Sequence, residues 1–297
     1  MTHLINRPHY DPYKMTSSSR FLPPDFDLSC PITLISGRGS YPKLMAKRIR
    51  EAGGQLNLIA LKGETPEDVF EDFTPENRKQ IKIGQIGKLT KTLKASGTRY
   101  VVMVGQIQPN RLFGGIQPDL RAIKILASLK ERNAATIFGA IVKEIEDTGC
   151  TVLDARAFID EDLASEGLMT PGTQACESDY LEHGIKIARE SARLHIGQGV
   201  VVRKGTVLAV EAFEGTDEML RRGGSFKTDQ KIFVKLPHPD HDFRFDVPVF
   251  GIKTLETMKE AGISTAALAT DQTVILDKEQ VLREAAKAKI EILGFRA

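Results

Sequence analysis

The residues best suited to chemistry lie between positions 195 and 248, where acids, glycines and cations surround short apolar runs. Glu211, Glu214 and Asp217 follow directly after the apolar run 207–210. Carboxylate oxygens are the ligands that hard divalent cations prefer, and a helix predicted to begin nearby offers unpaired amides to an anion. The spacing therefore favours a site for a divalent cation and a phosphate.

A hairpin and a helix must position these acids. Two apolar runs flank the tripeptide 203–205, which predicts two strands joined by a tight turn. The residues Gly215, Thr216 and Asp217 then predict a loop that enters a helix. Gly215 and Thr216 can present an amide or a hydroxyl to a ligand, and Asp217 can assist a metal. The alternative is that Asp217 only caps the helix.

Two further acids, Asp242 and Asp246, are four residues apart. Side chains on a strand repeat every two residues, so both carboxylates are predicted to point to one face. Neighbouring carboxylates can hold Mg²⁺ or Mn²⁺ and orient a water for attack on phosphorus. The structural alternative is a surface ion pair between Asp242 and Arg244, worth at most about 1 kcal/mol.

The first half predicts a strand at 32–35, a helix at 41–52 and then a second strand, a pattern typical of a Rossmann-like parallel sheet. Gly37, Arg38 and Gly39 connect the first strand to the helix. Glycines there let backbone amides approach a phosphate, and the simpler alternative is a tight turn. The third glycine and the ribose-binding acid of a dinucleotide site are missing, which disfavours NAD.

A second glycine loop contains Gly84, Gln85, Gly87 and Lys88, and a strand is predicted soon after it at Tyr100–Val104. Because the carboxyl ends of parallel strands meet at one edge of a sheet, both glycine loops are predicted to line one crevice. Their cations suit phosphate contacts. The alternative for Lys88 is a solvated helix face.

Composition indicates a soluble globular protein of two domains. The chain has 297 residues and a net charge of +2, so no basic excess favours a nucleic-acid partner, and a small molecule is expected. Cys30, Cys150 and Cys176 form no C-x-x-C pair, which indicates neither a zinc site nor a redox motif and fits the cytoplasm. No apolar run approaches the roughly 20 residues of a transmembrane helix.

Four segments are expected along the chain. They are a flexible leader over 1–28, part of which can pack as an arm, a Rossmann-like nucleotide-binding domain over 29–159, a linker over 160–177, and a mixed α/β domain over 178–297. The predicted fold class is therefore α/β with two domains, an N-terminal Rossmann-like parallel sheet and a C-terminal mixed domain, with the site in the cleft between them.

Five short motifs occur in the order and spacing of one known family. They are Ile35-Ser36-Gly37-Arg38-Gly39-x-x-Pro42, Gly84-Gln85-Ile86-Gly87-Lys88, Ile196-Gly197-Gln198, Val210-Glu211-Ala212-x-Glu214-Gly215-Thr216-Asp217-x-Met219-x-Arg221-Arg222 and Asp242-x-Arg244-Phe245-Asp246-x-Pro248-x-x-Gly251. Over about residues 31–296 the chain resembles the LpxI family of UDP-2,3-diacylglucosamine pyrophosphatases.

The resemblance implies a metal-dependent hydrolase that cleaves UDP-2,3-diacylglucosamine to 2,3-diacylglucosamine 1-phosphate (lipid X) and UMP in lipid A biosynthesis. It implies Asp246 as the catalytic residue, with Mg²⁺ or Mn²⁺ held by Asp246, Asp242 and Asp217. It also implies a homodimer that touches the cytoplasmic face of the inner membrane peripherally. Substrate contacts are expected at both glycine loops and at Gln198, Gly215, Thr216 and Lys235.

The chain also departs from the family pattern. Asn133 stands where an acidic pair is usual, His195 replaces an aspartate, and His238 and His241 replace a lysine and a glutamine. The loop 237–242 now holds two histidines and two acids, which also suit a transition metal, although a solvated loop is simpler. Two alternatives stay open: a non-catalytic nucleotide-sugar or glycolipid binding protein, and an NAD(P)-using or glycosyl-transferring enzyme.

Overall fold

The apolar segments of the first half pair side by side as five parallel strands. The structure is a computed structural model that describes residues 19–107, 118–131, 133–172 and 176–297. The strands are β1 (Ile32–Ser36), β2 (Leu56–Leu61), β3 (Arg78–Ile81), β4 (Tyr100–Val104) and β5 (Thr151–Val152), in the order β3-β2-β1-β4-β5. The order reverses between β1 and β4, and in such sheets a crevice opens there, beyond the carboxyl ends of the strands.

Helices cover both faces of this sheet. They are α1 (Tyr41–Glu51), α2 (Glu67–Glu71), α3 (Ile86–Ala95), α4 (Leu120–Ser128) and α5 (Ala134–Glu146). Pro42 occupies the first turn of α1, where its missing amide hydrogen costs nothing. Asn133 begins α5 through a reciprocal capping box with Thr136. The predicted helix at 41–52 and strand at Tyr100–Val104 are confirmed.

The second half builds a mixed sheet of six strands. These are β6 (Gly167–Leu168), β7 (Gly199–Arg203), β8 (Thr206–Val210), β9 (Lys231–Lys235), β11 (Ile263–Ala269) and β13 (Glu291–Phe295), in the order β6-β13-β11-β9-β7-β8. β13, β11 and β9 are parallel, and β7 and β8 form the predicted hairpin. A small parallel pair stands apart, β10 (Val249–Phe250) with β12 (Val274–Ile275).

The helices of the second half pack on this sheet. They are α6 (Ser178–Arg193), α7 (Thr216–Gly224), α8 (Ile252–Glu260) and α9 (Lys278–Lys287). We call the β1–β5 sheet with its helices the first lobe, and the six-stranded sheet with its helices the second lobe. No helix in the described ranges is long and apolar enough to cross a bilayer.

The predicted leader and linker both contain packed structure. Phe26 lies against Tyr100 and Phe158, with ring centroids 4.6 and 5.7 Å apart. The Arg20 guanidinium reaches Asp271 of the second lobe at 2.6 Å. Residues 20–28, here called the N-terminal arm, therefore pack on the protein, and residues 1–18 of the predicted leader lie outside the described residues. Within the predicted linker 160–177, strand β6 already belongs to the second sheet.

Candidate active site

The turn after β1 is closed by backbone contacts with the end of β4. The amides of Gly37 and Arg38 donate to the carbonyls of Val104 and Gln106, each at 2.8 Å. A Cβ on Gly37 would lie 2.6 Å from the Gln106 carbonyl oxygen, so this crossing requires glycine. The Arg38 guanidinium donates to the carboxylate of Glu64 at 2.9 Å. These contacts favour the turn interpretation of Gly37 over a direct phosphate contact.

A groove of about 540 Å³ lies where the first turn of α1 meets the second lobe. Gly39, Ser40 and Lys43 line it from the first lobe, and Leu276 and Asp277 line it from the second. Gly39 has a φ of 92° and meets no described atom within 4 Å of where a Cβ would be. The helix end suits an anion. The Lys43 ammonium, however, already pairs with the carboxylate of Asp68, which lines the same groove, at 2.8 Å.

The second glycine loop contacts an acid of the protein itself. The Gly87 amide donates to the carboxylate of Asp119 at 2.7 Å, and the Gly84 carbonyl accepts from the amide of Asp119 at 3.1 Å. The Gln85 side chain accepts from a nearby backbone amide at 3.0 Å, and the Lys88 ammonium donates to a backbone carbonyl at 3.3 Å. A carboxylate thus stands where a phosphate was predicted, and all four loop residues make contacts within the first lobe.

Asp242 and Asp246 lie on a turn, so the strand predicted for them is wrong. The amides of Phe245 and Asp246 donate to the Asp242 carbonyl at 3.3 and 3.2 Å. The Asp242 carboxylate accepts from the Arg244 guanidinium at 2.9 and 2.7 Å, and Arg244 also reaches Glu146 at 3.1 Å. Burial opposes ionisation of Asp242, but the bonds from Arg244 outweigh it and lower its pKa. The structural alternative, an Asp242–Arg244 ion pair, is therefore present.

Asp246 lies at the carboxyl edge of the first sheet. Phe245 stacks on Phe138 in the core on one face, with ring centroids 5.5 Å apart, whereas Val247 belongs to the core on the opposite face. A segment that enters the cores on both faces must cross the edge between them. The Ala155 amide, just beyond the outermost strand β5, donates to the carbonyl of residue 243 at 2.8 Å, which places the segment near the carboxyl end of that strand. The Asp246 side chain is 55% exposed there.

Three imidazoles lead from Asp246 toward the second sheet. His195 and His238 have ring centroids 4.9 Å apart, and His238 and His241 are 6.2 Å apart. His241 has a side chain only 4% exposed, and its Nε2 lies 2.9 Å from the Asp246 carbonyl oxygen and 3.4 Å from its carboxylate. Burial lowers the pKa of His241, and the charge of Asp246 opposes this shift.

A chain of polar contacts links β8, α7 and β9 at one edge of the second sheet. The buried Lys235 ammonium donates to the Thr216 hydroxyl at 2.9 Å, and that hydroxyl donates to Glu211 at 2.9 Å. The second carboxylate oxygen of Glu211 is buried without a described partner. Gly199 makes room for it, since a Cβ there would lie 2.6 Å from that oxygen. The structure thus joins Thr216 and Lys235 and adds Glu211 to them.

The other predicted residues of this region have separate partners. Asp217 pairs with Lys253 at 2.7 Å rather than with another carboxylate. Gly215 adopts a φ of 82° as α7 begins, a conformation that favours glycine. The Gln198 carbonyl accepts from the amide of Leu236 at 3.0 Å, which places Gln198 beside the end of β9.

Of the three acids predicted to hold a metal, Asp246 alone has no lysine or arginine partner within the described residues. The described parts of the chain hold no group of three or more His, Cys, Asp or Glu side chains arranged for a metal. Asp242 and Asp217 each pair with a cation, whereas no described lysine or arginine pairs with Asp246. Mg²⁺ is often held by one or two carboxylates together with waters and substrate phosphates. A single exposed carboxylate at a sheet edge is compatible with that mode.

Two relationships were missed from the sequence. Asp119 binds the Gly87 amide across 32 residues, and no local pattern indicates it. His241 contacts Asp246, five residues away, because the segment is a turn. The strand predicted for this segment would have kept the two residues apart.

Comparison with known proteins covers both lobes. Residues 31–162 match the LpxI N-terminal domain and residues 165–293 match the LpxI C-terminal domain. The chain is also 30% identical over 274 residues to the UDP-2,3-diacylglucosamine pyrophosphatase LpxI of Caulobacter vibrioides, covering 88% of this chain and 96% of that protein. The chain therefore belongs to the LpxI family.

Proposed function

We propose that this protein hydrolyses the pyrophosphate bond of UDP-2,3-diacylglucosamine, giving 2,3-diacylglucosamine 1-phosphate (lipid X) and UMP in lipid A biosynthesis. Family membership and the name of the Caulobacter vibrioides relative support the activity. The observation that carries the assignment of the site is the position of Asp246, an exposed carboxylate at the carboxyl edge of a parallel sheet. Ligands of such sheets bind beyond that edge.

In the proposed reaction, a water attacks the α-phosphorus of the nucleotide. The bond between that phosphorus and the bridging oxygen breaks, the sugar 1-phosphate leaves with the bridging oxygen, and the water oxygen stays in UMP. One proton of the water is released in the process. Asp246 either accepts that proton or holds the metal that binds the water.

Mg²⁺ or Mn²⁺ would be held by Asp246 together with the diphosphate and would offset the charge that develops during attack. The earlier assignment of Asp217 and Asp242 as metal ligands requires each to leave its cationic partner. Lys253 is 78% exposed, so its release from the less exposed Asp217 in favour of a metal costs little on the lysine side.

The substrate is proposed to span two sets of groups. The groove at Gly39 and Lys43 offers a helix end to the diphosphate, and the Lys43 ammonium would have to leave Asp68 to join it. In the second lobe, Lys235, Thr216 and Glu211 offer a cation, a hydroxyl and a carboxylate, a combination that suits a sugar carrying hydroxyl and phosphate groups.

The decisive experiment uses the purified full chain with UDP-2,3-diacylglucosamine in ¹⁸O-labelled water. Asp246→Ala should reduce UMP release by about 100-fold or more, because a base or a metal ligand is lost. Asp240→Ala is the matched control, since it removes an exposed carboxylate from the same loop. Chelation of metal should stop the wild type, and Mg²⁺ or Mn²⁺ should restore it.

The label distinguishes the position of attack. We expect ¹⁸O in UMP, as attack on the α-phosphorus requires. Label in lipid X would place the nucleophile on the other phosphorus. Full turnover by Asp246→Ala would remove Asp246 from the reaction.

A binding protein without catalysis is the second candidate. The ion pairs of Asp242 and Asp217 favour it, because two of the three acids predicted to hold the catalytic metal already pair with cations. Tight binding of radiolabelled UDP-2,3-diacylglucosamine without release of UMP would decide for this function.

Two further expectations concern the oligomeric state of the protein and its contact with the membrane. We propose a homodimer at the cytoplasmic face of the inner membrane, in peripheral contact with lipid. Sedimentation of the purified protein, with and without lipid vesicles, tests both expectations.

A further inference from the structure

The imidazole of His241 is held inside the turn that carries Asp246. Its ring packs edge-on against Phe243, with centroids 4.9 Å apart, and its side chain is 4% exposed. Nε2 faces Asp246 twice, at 2.9 Å from the carbonyl oxygen and 3.4 Å from a carboxylate oxygen. The carboxylate itself remains 55% exposed, so a buried ring supports an exposed acid.

The partner atom fixes the position of the ring proton. A backbone carbonyl can only accept a hydrogen bond, so Nε2 of His241 must carry hydrogen to make this contact. The donor remains present in the neutral imidazole. The bond therefore does not require His241 to be charged.

Besides its anchored neighbours and His241, Asp246 has one further described backbone contact. Its amide makes a bond of 3.2 Å to the Asp242 carbonyl, at the long end of the usual range. Phe245 and Val247 anchor the chain on either side in two different cores. The peptide unit between Asp246 and Val247 is then set by the bond from His241, and the direction of the Asp246 side chain follows from it.

We propose that His241 is a positioning residue for Asp246, whose Nε2 hydrogen holds the Asp246 carbonyl and thereby aims the carboxylate at the reacting phosphorus. This inference rests on the proposed hydrolysis. A displacement of about 1 Å in a catalytic group can cost about 100-fold in rate, so loss of this one bond has a measurable effect.

The test compares two substitutions of nearly equal length. The side-chain amide nitrogen of glutamine lies close to where imidazole Nε2 lies and can donate the same bond, whereas methionine has similar size and no donor. We expect His241→Gln to keep kcat within about threefold of wild type. We expect His241→Met to lower kcat about 10- to 100-fold with KM little changed.

His195→Gln serves as the matched control, since it removes an imidazole of the same row that does not touch Asp246. Thermal unfolding of each variant shows whether the turn stays folded. Equal kcat for His241→Met and wild type overturns the inference, as does an equal loss in the glutamine and methionine variants. An inactive wild type would instead overturn the proposed hydrolysis and, with it, any positioning role.

A second readout needs neither substrate nor substitution. Long-range ¹H–¹⁵N spectra of the wild-type protein report which ring nitrogen of His241 carries hydrogen. We expect the Nε2–H form near neutral pH. The Nδ1–H form would overturn the inference even if the methionine variant were slow, because the proposed donor would be missing.

Discussion

Single glycines decide whether the second lobe can bring Glu211 to its polar contacts with Thr216 and Lys235. A Cβ on Gly197 would lie 2.1 Å from the Glu211 carbonyl oxygen, a distance that no side chain tolerates. Gly139 within α5 is the opposite case, because a Cβ there meets no described atom within 4 Å. The two positions provide a matched pair for the same substitution.

We expect Gly197→Ala to lower the free energy of unfolding by about 1–3 kcal/mol, since the backbone must move to relieve the overlap. Gly139→Ala should raise it by about 0.5–1 kcal/mol, because alanine favours the helix. Denaturant unfolding of both variants gives the comparison. A neutral Gly197→Ala would mean that the crossing at Glu211 is looser than described.

At the same scale, the sequence identified single residues better than their partners. Asp246 was singled out through its motif, and it does stand exposed at a sheet edge. Asp242 was grouped with it on the assumption of a strand, in which alternate residues share a face. The segment is a turn, so Asp242 instead binds Arg244, and His241 meets Asp246. Which residue each acid contacts depends on the backbone conformation of the segment, and the residue types alone did not specify that conformation.

Among the elements, the junction of β8 and α7 carries the polar contact chain. Thr216 sits in its middle, since its hydroxyl accepts from Lys235 and donates to Glu211. Removal of this hydroxyl leaves a buried ammonium and a carboxylate oxygen without the contact that joins them.

We predict that Thr216→Val lowers the free energy of unfolding by about 1–3 kcal/mol, the cost of leaving buried polar groups without a partner. Under the proposed function it also raises KM. Thr216→Ser keeps the hydroxyl and should stay close to wild type in both respects. Denaturant unfolding and steady-state kinetics provide the measurements, and equal behaviour of the two variants would contradict the role given to the hydroxyl.

Sequence patterns predicted elements according to how strongly their residues prefer one structure. β1, β4 and the β7–β8 hairpin are rich in β-branched residues and were found. β11 (Ile263–Ala269) was missed, although it is the strand between β9 and β13, because its three alanines have weak strand preference. Its alanines 266, 267 and 269 are fully buried, so packing between neighbours decides its conformation.

On the scale of the whole molecule, the two-lobe α/β architecture was predicted, and the contacts that join the lobes were not. The N-terminal arm is one such contact. Phe26 packs into the first lobe, and Arg20 pairs with Asp160 and with Asp271 of the second lobe. A stretch with serines and prolines gives little local indication of such packing, because its partners lie more than 70 residues away.

We expect burial rather than charge to hold the arm. Phe26→Ala should lower the free energy of unfolding by about 2–3 kcal/mol, somewhat less than for a fully buried phenylalanine. Arg20→Ala should cost about 1 kcal/mol or less, because its ion pairs are exposed. Denaturant unfolding at low and high salt measures both, and a larger cost for Arg20→Ala would reverse the expectation.

The segment from Phe243 to Val247 limits how the two halves of related proteins can be exchanged. It follows β9 in the second lobe, yet its apolar side chains fill both cores of the first. A chimera that joined the first half of one relative to the second half of another would take Asp246 from one parent. The first-lobe residues that pack against its segment would come from the other parent. Such hybrids should function only when residues facing this segment, such as Phe138, are exchanged along with it.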